Sequence, residues 1–283
     1  MNLRRLAPFL LLVGAACSND LPPRSFLDGL RVLAITADPL EVGPAAPATT
    51  VNVVARTYPE DAAADGTWTF CPFTLGAAGG DVCAVPQCET PLGTGPTASA
   101  RPQDLALACL SQFGGTTAGG GQLPTTIPDV LEVLFRYHVE TASDVREAVL
   151  RVPFYPNGAP TPPNLPPVAS ATLAGVAPGV DGKFSGVTLK AGDQLVFQVN
   201  VDPASAQPYT NDAGTQVTEA LFTTFYTTAG RFDYDRGIGL SPSVKLKHER
   251  LAATDTVAQL YAVVRDDRDG ATVLGPYTVD IAP

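Results

Sequence analysis

From residue 31 onward, hydrophobic and polar residues alternate with a period of two, the pattern of strands that bury one face and show the other to water. Leu33, Ile35 and Ala37 share a face within Arg31–Asp38, and Pro39 ends that run. Val51, Val53 and Ala55 do the same against Asn52, Val54 and Arg56. Gly66–Phe73 reads as a further strand and carries the only tryptophan, Trp68. The clearest alternation is Val133, Phe135, Tyr137 and Val139 against Leu134, Arg136, His138 and Glu140. After a polar turn at Ala142–Asp144 it resumes with Ala148, Leu150, Val152 and Phe154. These runs predict a hairpin with one dry face. Pro153 marks its second strand as an edge, because proline cannot donate to a central ladder.

A second set of strands begins past residue 168. Leu195, Phe197, Val199 and Val201 alternate with Val196, Gln198, Asn200 and Asp202, and Thr218–Thr228 is rich in threonine and aromatics. Val257–Arg265 and Thr272–Ile281 flank Asp266-Asp267-Arg268-Asp269-Gly270, which reads as a hairpin turn. Strands at this spacing, with turn residues between them, predict β-sandwiches. Two segments break the pattern. Residues 74–128 hold ten glycines and three cysteines, with a short helix expected over Pro102–Gln112 and Gly114 placed to end it. Residues 156–167 hold six prolines, which predicts a stiff linker holding a second domain beyond the first.

Both halves resemble the immunoglobulin-like domains of bacterial envelope lipoproteins. The resemblance rests on Asp28-Gly29-Leu30-Arg31-Val32-Leu33-Ala34-Ile35 with Asp38-Pro39, and on Leu260-Tyr261-Ala262-Val263-Val264-Arg265-Asp266. It implies an all-β chain of two immunoglobulin-like β-sandwich domains in tandem. The first spans 31–155 with an insert at 74–128, and the second spans 168–283. Trp68 takes the place of the core tryptophan of strand C. The inter-sheet disulfide of that fold is missing, since neither the second strand nor the strand around Tyr137 carries a cysteine. The cysteines therefore serve the insert.

The N-terminus changes the picture most. Arg4 and Arg5 precede a short apolar run, Leu6–Val13, and then Gly14, Ala15 and Ala16. That run is far shorter than the roughly 18–20 residues that span a bilayer, so 1–16 reads as a signal peptide. Val13-Gly14-Ala15-Ala16-Cys17 resembles a bacterial lipobox, with Gly14 where leucine is usual. The resemblance implies cleavage before Cys17 and a diacyl or triacyl N-terminus, palmitate included, with 17–30 as the tether. Ser18 in place of an aspartate favours the outer membrane. A soluble periplasmic protein is the alternative.

Loss of Arg4 and Arg5 takes the net charge from −10 to −12. Nucleic acid and anionic lipid headgroups both need a basic face, so neither is an expected partner. Cys71, Cys83, Cys88 and Cys109 remain besides Cys17. An even number in an exported chain predicts two disulfides, in any of three pairings, and the spacing lacks the C-x2-C knuckles of zinc ribbons.

No catalytic motif is present. His138 and His248 belong to no H-E-x-x-H pair, no G-x-S-x-G elbow occurs, and Gly119-Gly120-Gly121 lacks the Lys-Ser or Lys-Thr of a phosphate loop. Asp266, Asp267 and Asp269 offer a calcium reading, as do Asp233 and Asp235 before Gly237. Yet Arg265 and Arg268 interrupt the first cluster, and a solvated hairpin tip explains it with fewer assumptions. No metal or cofactor is expected. The chain thus reads as a non-catalytic, membrane-anchored envelope lipoprotein. Its stapled insert is the expected surface for a protein or glycan partner, since function concentrates on loops held by a scaffold. A structural spacer subunit is the alternative, and a hydrolase using scattered carboxylates ranks third.

Overall fold

The computed structural model describes residues 23–45, 48–112, 130–158, 163–211, 213–249, 251–252 and 254–282. The expected leader, Cys17, Gly114 and the centre of the proline-rich segment lie outside that set. The first sandwich comprises β1 (Arg31–Asp38), β2 (Val51–Tyr58), β3 (Thr67–Cys71), β4 (Thr90–Thr94), β5 (Thr97–Ala100), β6 (Leu131–Glu140) and β7 (Val145–Phe154). A helix, α1 (Pro102–Gln112), connects β5 toward β6. One antiparallel sheet has the order β1-β2-β5 and the other β4-β3-β6-β7. The chain changes sheet after β2, after β4 and after β5, the Greek-key path of an immunoglobulin-like sandwich.

The predicted alternation sets the core. Val51, Val53, Ala55, Val133, Phe135, Tyr137 and Val139 all point inward and are buried. Trp68 lies under Tyr137, with ring centroids 4.6 Å apart. Their polar ends are satisfied: Trp68 Nε1 donates to the Gly95 carbonyl at 3.0 Å and Tyr137 Oη to that of Ala63 at 3.0 Å. Gly66 is required there for space, since a Cβ would lie 2.0 Å from the tyrosine oxygen. β7 is an edge strand, as Pro153 predicts, and its Pro153 carbonyl accepts from Val42 N at 3.0 Å.

The stapled stretch is more regular than its glycine content predicts. α1 forms where expected, and β4 and β5 also fall inside 74–128, pairing with β3 and β2. Their sequences, Thr-Pro-Leu-Gly-Thr and Thr-Ala-Ser-Ala, carry no apolar alternation. Ladder hydrogen bonds to a better strand hold them, and these leave no mark in hydropathy.

The second sandwich comprises β8 (Ala169–Leu173), β9 (Lys183–Leu189), β10 (Gln194–Val201), β11 (Pro208–Thr210), β12 (Gln216–Thr218), β13 (Phe222–Thr227), β14 (Arg231–Phe232), β15 (Arg236–Ile238), β16 (Ser243–Lys247), β17 (Val257–Arg265) and β18 (Ala271–Ile281). Its sheets have the orders β14-β16-β10-β8 and β15-β13-β17-β18-β9, with β9 parallel to β18. β11 and β12 form a separate hairpin. Phe184, Phe197, Phe225 and Phe232 centre the core, with Phe197 within 6.2 Å of each of the other three rings.

The linker expectation is where sequence and structure part. The sandwiches lie side by side: Leu27, Leu33 and Ala34 from the start of the chain meet Tyr261, Val263 and Ala271 on the outer face of the β13-β17-β18 sheet in one buried cluster. The N-terminal segment belongs to both. Ser25–Leu27 pairs with Thr227 at the edge of β13 before the chain enters β1. Nor does the described end of the proline-rich segment stand clear, since Asn164 is buried between the two sandwiches. The cause is that β17 is apolar on both faces, so its outer face has to be covered.

Candidate functional site

The β17–β18 turn, residues 266–270, is the point where the segments converge. Asp266 Oδ1 accepts from the backbone N–H of Arg268 at 2.8 Å and of Gly270 at 2.7 Å, which shapes the turn. Asp267 turns the other way, accepting from Ala220 N and Tyr209 Oη, both at 3.2 Å. Asp269 is exposed, in the left-handed region at φ 69°. Asp266 and Asp267 so point to separate partners, and Asp269 faces outward. Among the described residues no three carboxylate, histidine or cysteine groups stand together as metal ligands. Asp233 is likewise committed, to the backbone N–H of Tyr234 and Lys245. The calcium reading has no converging oxygens here.

Arg268 does the converging instead. Its guanidinium pairs with Glu219 at 3.0 Å and with Glu41 of the first sandwich, and lies 5.0 Å over the Tyr209 ring. The side chains of Glu41 and Glu219 are 2% and 0% exposed, and that of Arg268 is 12% exposed. Asn164 closes the ring, donating Nδ2 to the Arg268 carbonyl at 2.8 Å and its backbone N–H to Glu41 at 3.2 Å. Burial works against the guanidinium charge, but the hydrogen bond and field of Glu41, with Glu219, outweigh it and raise the Arg268 pKa. Burial raises Glu219 above the usual carboxylate range despite the Gln207 N–H and Arg268. Burial also raises Asp266, whose Oδ2 has no hydrogen-bond partner among the described residues and faces Gly270. A second tie crosses the joint at Arg265, which donates to the Leu33 carbonyl at 2.7 Å and whose pKa burial lowers.

The disulfides are Cys71–Cys83 and Cys88–Cys109, with Cα atoms 5.6 and 5.4 Å apart, so the pairing is sequential. The first builds a small satellite core with Leu134 on the outer face of β6, which explains an apolar residue on that polar side. The second fixes α1. Polar contacts then lay residues 81–89 on the sheet: Arg151 Nε donates to Asp81 at 2.8 Å, Arg136 to the Asp81 carbonyl at 2.9 Å, and Thr69 to Glu89 at 2.7 Å. This part of the expected binding loop is thus held down against its scaffold. Two disulfides fit an oxidising compartment outside the cytoplasm.

Among the described residues, concave surface runs along the seam between the sandwiches. Two adjoining hollows of about 250 and 570 Å³ share Arg56 of β2 and Val273 of β18. Asn52, Asp38, Thr36 and Glu60 also line them. The Arg56 side chain has no ion pair or hydrogen bond among the described residues. Sequence pattern places Asn52 and Arg56 on the wet face of β2, but says nothing of the wall opposite. Neither histidine adds chemistry: His138 lies on the outer face of β6, and His248 Nε2 bonds the Ala282 carbonyl at 3.0 Å. Among the described residues no helix is long and apolar enough to cross a membrane.

No family model matches the chain, and no curated protein matches it. Solved structures align over most of its length. Fibronectin(III)-like modules of CbhA from Clostridium thermocellum are 12% identical over 87% of this chain and 92% of theirs, with a TM-score of 0.24. The D00-D0 domain of intimin is 10% identical over 88% of this chain and 100% of its own, also at 0.24. A DUF3823 family protein from Bacteroides ovatus is 7% identical over 88% and 98%, at 0.23. Superposition at that level carries no argument about function. The all-β, immunoglobulin-like architecture rests on the strand order described above.

Proposed function

We propose that this chain is a non-catalytic envelope lipoprotein, held at a membrane by an acylated Cys17, whose two joined sandwiches present the seam groove to a protein or glycan partner. The observation that carries the reading is the buried joint. Glu41, Arg268, Glu219 and Asn164 lock the sandwiches into one body with a concave seam of mixed apolar and polar lining, the form in which binding sites between domains occur. A spacer gains reach from domains set end to end, and side-by-side packing counts against that role. A hydrolase needs an acid and a base converging on open space, whereas Glu41 and Glu219 converge on a buried arginine.

Two measurements test the reading. Intact-mass analysis of the mature protein should show an acylated N-terminal Cys17 and two disulfides; an unmodified Cys17, or retained residues 1–16, removes the anchor. Crosslinking from a photoreactive residue at position 52 in intact cells should capture a partner that is lost on Arg56→Glu. A partner captured equally well by the charge-reversed protein rules the groove out.

A further inference from the structure

The way the N-terminal segment enters the body says which end of it faces the lipid. This inference rests on the anchoring at Cys17. Five residues, 18–22, separate Cys17 from Pro23. At roughly 3.3–3.6 Å per residue they reach about 20 Å at most, which is short against the length of either sandwich. Pro23 is itself fixed, since its carbonyl accepts from Phe26 N at 2.8 Å and Ser25–Leu27 is paired with Thr227.

Thr227 lies at the end of the second sandwich opposite the 266–270 turn. The same end carries the 190–193 turn, the 248–256 loop and the C-terminus, joined by Ile281 N to the Thr256 carbonyl and Ala282 N to that of Leu189. In the first sandwich the matching end holds the start of β1, the 59–66 connection and the 141–144 turn, because Arg31 is opposite Tyr58 and Thr67 opposite both Thr94 and His138. A Cβ on Gly29 would lie 3.7 Å from Asp144, which brings the tether and that turn together. The strand direction therefore aligns the two ends beside one short leash.

We propose that this end, common to both sandwiches, is the membrane-facing surface, and that its charge suits a zwitterionic bilayer and keeps the body off an anionic one. Asp28, Glu60, Asp61 and Asp65 are all exposed there. Of the cations at that end, Arg146 is paired with Asp144 and Arg231 with Glu249, Arg31 donates to the Arg24 carbonyl at 2.7 Å while keeping its charge, and Arg24, Lys190 and Lys247 add theirs. Around the tether Asp28, Glu60, Asp61, Asp65 and Asp144 outnumber Arg24, Arg31 and Arg146, whereas on the second sandwich Lys190, Arg231 and Lys247 offset Asp193, Glu249 and Asp255. Within a Debye length of about 8 Å at physiological salt the tether side repels anionic headgroups. The seam groove and the β11–β12 hairpin, which bonds Asp267 through Tyr209, then point sideways and away from the lipid.

The test uses the mature acylated protein on phosphatidylcholine vesicles carrying a headgroup acceptor dye. Donor dyes are placed singly at Ala64→Cys, Thr254→Cys and Thr215→Cys, three exposed positions in chains whose other cysteines are acylated or disulfide-bonded. Energy transfer should be severalfold stronger from positions 64 and 254 than from 215 on the far hairpin. Transfer from 64 should fall when phosphatidylglycerol is mixed in at low salt and recover at high salt. Equal or stronger transfer from 215 overturns the orientation, strong transfer from 64 alone overturns the shared end, and indifference to phosphatidylglycerol overturns the electrostatic part. Flotation with the vesicles, compared with Cys17→Ser, separates these outcomes from loss of the anchor, which would remove both readings.

Discussion

At one end of the joint the side chains of Leu27, Leu33, Tyr261 and Val263 pack into one buried apolar cluster. At the other, Arg268 draws Glu41, Glu219 and Asn164 out of water. The apolar end gains its stability from area removed from solvent, about 1.5–3 kcal/mol for each large side chain, whatever the precise angle between the sandwiches. The ionic end behaves differently. Desolvation of three charges offsets much of their attraction, so its net contribution is modest, but any arrangement that separates them leaves a buried charge alone. The apolar half makes the sandwiches adhere, and the ionic half selects one way of adhering. A groove whose walls come from different sandwiches needs the second property more than the first.

The comparison is broken most severely at Arg268. Arg268→Ala strands Glu41 and Glu219 without a cation and should cost about 3–5 kcal/mol in urea denaturation. Arg268→Met combined with Glu41→Gln and Glu219→Gln should recover much of that loss, since it removes the charges with their partner. If the single and triple replacements destabilise equally, the cluster is not acting through charge. Next in size, Leu33→Ala in the apolar half should cost about 2–3 kcal/mol. That loss should be the same in low and high salt, while the Arg268→Ala loss should show a different salt response. Gly270→Ala should follow at about 1–3 kcal/mol, because the new Cβ would lie 2.0 Å from Asp266 Oδ2 and 3.1 Å from Leu40 across the joint. An unchanged denaturation midpoint there would mean that the turn relaxes freely and does not press on the first sandwich.

These residues also mark what the chain discloses before it folds. Alternation placed β1, β2, β6, β7 and β10, and Pro153 its edge strand, because a half-buried strand writes its two faces directly into the sequence. The joint was partly legible: Leu260-Tyr261-Ala262-Val263-Val264 is apolar without a break and all of it is buried, the mark of a strand covered on both sides. Reading it as one more sandwich strand missed that its second face required a cover. Arg268 gave no such signal. It sits in an acidic turn that looks solvated, and Glu41, its partner, lies 227 positions away. Long-range ion pairs follow no period. The pairing of the cysteines was open for the same reason, and the two disulfides reflect which loops the strand order brings together.

The smallest expected effect separates the two halves by pH. Burial raises Asp266 and Glu219 above their ordinary values in the folded protein. For an acid whose folded pKa lies above its unfolded one, the native state binds the proton more tightly. The charged form therefore costs stability at neutral pH, and stability is gained as pH falls through the folded pKa, levelling off below the unfolded pKa near 4. These two groups should thus favour the joint on mild acidification, against the usual trend of salt-bridged carboxylates. Asp266→Asn keeps an oxygen to accept from the Arg268 and Gly270 N–H groups while removing the charge beside Leu40. It should leave the protein slightly more stable at pH 7 and flatten the gain between pH 7 and 5, whereas Leu33→Ala should shift the whole pH–stability curve without changing its shape. A steeper acid gain in Asp266→Asn than in the parent would assign the pH response elsewhere, and a decrease in stability at pH 7 would mean that the ionised carboxylate is wanted in the turn.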